Sequence, residues 1–203
     1  MRRHGRILPR PFYARPALVV APELLGKVLC HASNGTLASG RIVEVEAYLD
    51  KDDPASHAYR GKTPRNSVMF GPAGFAYVYF TYGNHHCFNV VTGEDGMASA
   101  VLIRALEPLK GIEAMRRRRK KRDLYDLTTG PGKLTQALRI DRGRNGADLT
   151  QRPLWIEEDG EKDSIPYIQT PRIGISEGMD FPYRFLRSES SFVSKRVRSQ
   201  VRP

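Results

Sequence analysis

The chain has 203 residues, 40% of them hydrophobic and 27% charged, enough for one sizeable domain without demanding two. It holds no apolar run long enough for a transmembrane helix, and its basic start, MRRHGRILPRPFYARP, lacks the apolar centre of a signal peptide. Lysine plus arginine number 33 against 22 aspartate plus glutamate, a formal net charge of +11; such a surface attracts polyanions, nucleic acid first among them, although an ordinary basic protein shows the same balance.

Residues 1–15 read as a basic arm, and 16–203 as one domain ending in a basic tail. Ala21 to Leu29 opens with helical character. KVLCHASNGTLASGRIVEVEAYL then reads as a hairpin around Asn34-Gly35, a pair that tolerates the positive φ of a type I′ turn. Residues 41–49 continue as a strand. Asp50 to Asn66 is polar and broken by Pro54 and Pro64. FAYVYFTY and HHCFNVV are two strands joined at Gly83-Asn84, SAVLIRALEP is a third that ends near Pro108, and LKGIEAMRRRRKK is helical. GPGKLTQALRI opens another helix with Pro131 in its first turn. PLWIEE, PRIGIS and YRFLR read as late short strands. The expected fold is mixed α/β (α+β), a single domain around a largely antiparallel, curved β-sheet with a protruding β-hairpin. Cys30 and Cys87 sit in strand-like runs without metal-ligand spacing and read as buried free thiols of a reducing cytosol.

Strand alternation in RIVEVEAYL puts Glu44, Glu46 and Tyr48 on one face and Val43, Val45 and Ala47 on the other. On a solvated face the carboxylates would be unremarkable; lining a pocket, a desolvated Glu beside a Tyr is a good general base. Arg104 stands in an otherwise apolar strand and needs a carboxylate, a phosphate or a water to satisfy it; a structural salt bridge is the plainer reading. Asp52, Asp53, His57, His85 and His86 match no metal-binding spacing, and a lone loop histidine such as His57 is ordinarily a solvated polar group. RRRRKKR, Arg116 to Arg122, reads either as a solvated run of like charges or as phosphate contacts. Gly130, Gly132 and Lys133 at a helix start suit either a phosphate or an ordinary cap.

Taken together, GRIVEVEAYL, HAYRGKTPRNSVMF, AYVYFTYGNHHCFNVV, VLIRALEP and GPGKLTQAL resemble the alkyladenine (3-methyladenine) DNA glycosylase family in order and spacing, over about Ala17 to Arg187. The resemblance implies a monofunctional base-excision repair enzyme, a hydrolase acting on N-glycosyl bonds. It would flip damaged purines, alkylated or deaminated (hypoxanthine among them), out of double-stranded DNA and leave an abasic site, with no metal or organic cofactor. By the same resemblance Glu46 activates the attacking water, Arg104 helps hold it, and a backbone carbonyl at Ile173 contacts it too. Tyr48, His57 and Tyr79 sandwich the flipped base, Asn89 crowds the exocyclic amino group of guanine, and Tyr82 at the hairpin tip fills the gap left in the duplex. Arg116, Arg117, Arg118, Arg119 and Lys133 would meet DNA phosphates. Asn84 and His85 stand where animal members carry larger apolar or aromatic residues, and the loop from His57 to Thr63 is a residue shorter. A monomeric, bacterial-like, cytoplasmic and nucleoid-associated protein without a membrane partner is expected. No nucleophilic lysine suggests itself, so no lyase step is expected. The rival readings are a non-catalytic nucleic-acid-binding module and a metal-dependent nuclease.

Overall fold

The computed structural model describes residues 5–81, 83, 85–160 and 165–195. Its elements in chain order are helices α1 (Arg10–Tyr13) and α2 (Ala17–Leu24), strands β1 (Val28–Ser33), β2 (Thr36–Tyr48), β3 (Ala76–Thr81), β4 (His85–Thr92) and β5 (Ser99–Lys110), helices α3 (Ile112–Arg119), α4 (Tyr125–Thr128) and α5 (Pro131–Leu138), and strands β6 (Leu154–Glu157), β7 (Tyr167–Thr170) and β8 (Arg184–Arg187). The strands form one curled antiparallel sheet in the order β3-β4-β5-β2-β1-β6, so the domain is mixed α+β. Beyond Arg41 β2 runs past the end of β1, and β8 pairs there with Glu44, Val45 and Glu46 while β7 pairs with β8.

Local chemistry explains most boundaries. Asn34 and Gly35 both take positive φ, 49° and 69°, and close the β1–β2 turn. Helix α2 begins at Ala17, four residues before the expected start, because Pro16 suits the position ahead of a first turn, and it stops just past Pro22. Lys120 and Arg139, both in the left-handed region, end α3 and α5. Strand β5 runs two residues past Pro108, to Lys110; a register shift beside Gly40↔Pro108 makes room for a residue with no N–H to donate. PRIGIS is not a strand, and β7, which the pattern did not suggest, lies just ahead of it.

Ile42, Val45, Ala47, Val78, Phe88, Val90, Val101, Ile103 and Leu106 from the sheet pack with Val20 and Leu24 of α2 and Leu127, Leu134 and Leu138 of the later helices. Each such side chain contributes on the order of 1.5–3 kcal/mol of transfer free energy. The segment read as an arm lies against this body: Ile7 bridges Glu157, and Leu8 and Tyr13 are buried. Cys30 and Cys87 are buried thiols.

The alternation along β2 and β5 switches phase where the two strands meet. Ile42 pairs with Leu106 and Glu44 with Ala105, which skips Val43; Val45 then pairs with Ile103, which skips Arg104. These bulges turn Ile42 and Leu106 into the core below, while above them Val45, Ala47 and Ile103 face the core and Glu46, Tyr48 and Leu102 face away. Val43, expected beside Val45 and Ala47, is the bulged residue, buried but outside that cluster.

Candidate active site

The face of β2 and β5 opposite the core forms the floor of a cavity of about 420 Å³. Tyr48, His57, Tyr79, Asn89, Arg104 and Ile173 all line it, with Met69, Cys87 and residues 174–177. The structure therefore brings together around one space residues from four strands and two loops.

Glu46 lies against the floor with no exposed surface. Its Oε1 accepts from the Ile173 amide at 2.8 Å, and its Oε2 accepts from Tyr48 Oη at 2.9 Å and Arg104 Nη1 at 3.0 Å. A carboxylate offers roughly four acceptor positions, so one remains for a further donor. The Ile173 N–H thus bonds Glu46 itself, a contact distinct from the one expected between its carbonyl and the attacking water. Arg104 also donates Nε to Glu44 at 3.1 Å. Burial works against its positive charge, but Glu46 and Glu44 more than offset this and hold Arg104 above its ordinary range.

The aromatic wall is cross-braced. The His57 and Tyr79 rings meet edge-on at 4.6 Å, Tyr77 and Tyr79 lie tilted at 5.2 Å, and His57 Nδ1 is 2.9 Å from Tyr77 Oη. Burial pushes the Tyr77 phenol up to about 12 and raises the Tyr48 and Tyr79 phenols as well, so all three stay protonated. His57 is shifted down, first by the partial desolvation of its ring and then by the positive Arg65, so it is neutral near pH 7. Asn89 donates Nδ2 to the Tyr77 carbonyl at 3.0 Å, which fixes its side chain on the wall.

The loops are held by buried polar ties that sequence reasoning missed. Arg172 and Asp53, neither side chain exposed, pair through Nη1–Oδ2 at 2.5 Å and Nη2–Oδ1 at 2.7 Å. Arg172 also donates to the Ala47 carbonyl at 3.0 Å and lies 4.6 Å over the Tyr48 ring. Asn66 closes the loop after His57 by donating to the carbonyls of His57 and Gly61. A buried arginine inside an apolar pattern was the usable signal at Arg104; Arg172, in a short run beside Pro171, gave none.

The basic run behaves differently. Arg116 pairs with Glu113 at 2.6 Å, Arg118 donates to the Ala137 carbonyl at 2.8 Å, and Arg119 bonds Gln136 and the Asp126 carbonyl. Lys133 bonds Asp126 and Thr129. Arg118, Arg119 and Lys133 fasten α3, α4 and α5 together, while Arg117 is exposed. Arg60, Lys62 and Arg65 are exposed on the loop that carries His57, and Arg65 lies 5.7 Å from the Tyr79 ring centroid. Tyr82 and Asn84 lie outside the described residues.

A buried, arginine-paired glutamate beside an aromatic-walled cavity makes this the candidate active site. Residues 11–191 match the family described as Methylpurine-DNA glycosylase (MPG). The chain is similar to proteins provisionally named 3-methyladenine DNA glycosylase: one from Carboxydothermus hydrogenoformans, 54% identical over 94% of this chain and 100% of that one; one from Methanoculleus marisnigri, 50% identical over 93% and 99%; and one from Burkholderia lata, 50% identical over 94% and 92%. The chain belongs to the methylpurine-DNA glycosylase family, hydrolases that act on N-glycosyl bonds of DNA in base-excision repair. Among the described residues no helix is long and apolar enough to cross a membrane.

Proposed function

We propose that this enzyme hydrolyses the N-glycosidic bond of alkylated and deaminated purines flipped out of duplex DNA, with Glu46 taking a proton from the attacking water. The observation that carries this reading is Glu46 itself, buried at the floor of an aromatic cavity with Arg104, Tyr48 and the Ile173 amide on its two oxygens. Inside the duplex a purine hides its glycosidic bond, so extrusion comes first and costs a few kcal/mol. Tyr48, His57 and Tyr79 give the extruded base an aromatic berth, favourable to electron-poor alkylated rings. As the bond to the base lengthens, positive charge grows on the sugar, and the Glu46 carboxylate faces it. Water adds to the anomeric carbon, its proton passes to Glu46, and the bond's electron pair leaves with the base. A cationic alkylated base departs neutral; a neutral base such as hypoxanthine also takes up a proton. This chemistry asks for no cofactor. Asn89, fixed on the wall, excludes the 2-amino group that distinguishes guanine from hypoxanthine.

The exposed cations of 60–65 and Arg117 meet phosphates, and Tyr82 fills the gap left in the stack. The protein acts as a monomer in the cytoplasm, on the nucleoid, as a single domain into which the described part of the basic arm packs. To test the reading, a duplex with one 7-methylguanine or one hypoxanthine is incubated with the protein in EDTA. The expected product is an intact strand with an abasic site that only later alkali cleaves. Direct strand cleavage that EDTA abolishes would show a metal-dependent nuclease, and unchanged DNA would show a binding module.

A further inference from the structure

Beside Glu46 lies a second buried carboxylate, and its partners reach to the end of the described chain. Glu44 has no exposed surface. Its Oε1 accepts from Arg104 Nε at 3.1 Å, Arg184 Nε at 2.8 Å and Ser194 Oγ at 2.8 Å, and its Oε2 accepts from the Ser194 amide at 2.5 Å. Arg184 Nη2 donates in turn to the Lys195 carbonyl at 2.6 Å. Val193 is buried, and its carbonyl accepts from Tyr125 Oη at 3.1 Å. The segment is thus pinned on both sides of Ser194, although the family match stops at residue 191. Arg104 gives Nε to Glu44 and Nη1 to Glu46. One guanidinium between two buried carboxylates divides its charge: what Glu44 draws is withheld from Glu46.

We propose that Glu44 is a positioning residue which, clamped by Ser194 and Arg184, holds Arg104 in place and sets how much of that cation's charge reaches Glu46. The residues after 191 are then part of the active site's support. The inference rests on the reading of Glu46 as the base. The groups that face Glu46 are Arg104 on β5, Tyr48 on β2, the Ile173 amide and Arg172 in the loop after β7, Cys87 on β4, and Arg184 opposite it on β8. Glu44 is the carboxylate that shares Arg104 with it. Replacing Glu44 by Gln removes a like charge and leaves the Arg104 cation to Glu46 alone. Removing the Ser194 hydroxyl does the reverse: Glu44 loses a donor and pulls harder on Arg104.

The test is the single-turnover rate of base release from a duplex with one 7-methylguanine, followed across the acid and neutral range for wild type, E44Q and S194A. The acidic limb of the profile is expected to move down by about one pH unit in E44Q and up by a few tenths in S194A. A role confined to folding would lower rates in step with thermal stability and leave the limb in place. An unmoved limb in both variants, or displacement of both in one direction, overturns the proposal. If E44Q strands Arg184 and fails to fold, S194A, which alters no charge, decides alone by the same criterion: an upward limb supports the proposal and an unmoved one overturns it. E46Q, run alongside, separates the two ideas, because retained excision there removes the base reading itself.

Discussion

The two halves of the cavity are built in different ways. The floor is sheet: Glu46 and Arg104 project from strands paired with neighbours, and the bulges at Val43 and Arg104 aim the arginine. The upper wall is loop: His57 and Ile173 belong to irregular segments tied down by side chains, chiefly Arg172 on Asp53. Reacting groups on strands are held to the precision that chemistry needs, while loops held by a few polar ties shape the space above. The two halves should therefore fail differently: damage to the floor stops chemistry, and damage to the ties loosens the fold and the fit.

The largest stability effect is expected at the tie. Asp53→Ala leaves the Arg172 guanidinium buried without its partner, which costs about 3–5 kcal/mol. Thermal denaturation should show it, and damaged-DNA affinity should weaken at a temperature where the variant is folded. A loss below 1 kcal/mol would mean the loops are held some other way.

Next comes the seam between the halves. Tyr48→Phe keeps the ring and removes one hydrogen bond to a charged group, worth about 1.5–3 kcal/mol. The single-turnover rate should fall by roughly 10–150-fold while binding changes little. Weakened binding at an unchanged rate would make Tyr48 a wall residue alone.

A smaller effect concerns acid stability and the sheet side. His31 on β1 is buried and shifted down, first by desolvation, with Nδ1 on the Leu138 carbonyl. The unfolded chain protonates this histidine as pH falls below about 6.5, and the folded chain does so only at lower pH. Its contribution is constant above 6.5 and erodes as pH falls from there toward the folded-state value. Melting temperature should thus drop from about pH 7.5 to 5.5, by less in His31→Gln; an identical drop in both would exclude His31.

The smallest effect is at the basic run. Arg117→Ala should flatten the log–log salt dependence of DNA binding by about one counterion. Arg118→Ala, which loses its bond to Ala137, should chiefly lower stability. Equal slopes for Arg117→Ala and wild type would place the phosphate contacts elsewhere.

Much of the floor was legible because strands announce themselves. The alternation in RIVEVEAYL, the arginine in AVLIRALEP and the turn at Asn34-Gly35 are local signals, and the structure carries all three as strand and turn. The bulges were not legible, since skipping Val43 and Arg104 depends on how two distant strands register. PRIGIS misled for a related reason. Its β-branched residues look like a strand, but Gly174 takes φ 75°, Arg172 is spent on Asp53, and the Ile173 amide bonds a side chain instead of a neighbouring strand. Ties such as Arg172–Asp53 and Ser194–Glu44 span 119 and 150 residues, and no window of the chain contains both partners.

The central claim is that the strand-borne Glu46 does the chemistry while the loop half of the cavity supplies fit. Its most direct test is Glu46→Gln, measured twice on one duplex with a single 7-methylguanine: base release in a single turnover at saturating enzyme, and affinity for the same DNA. Loss of a general base should cost roughly 10²–10⁴-fold in the first measurement, with the second close to wild type. Near-normal base release by this variant would contradict the account.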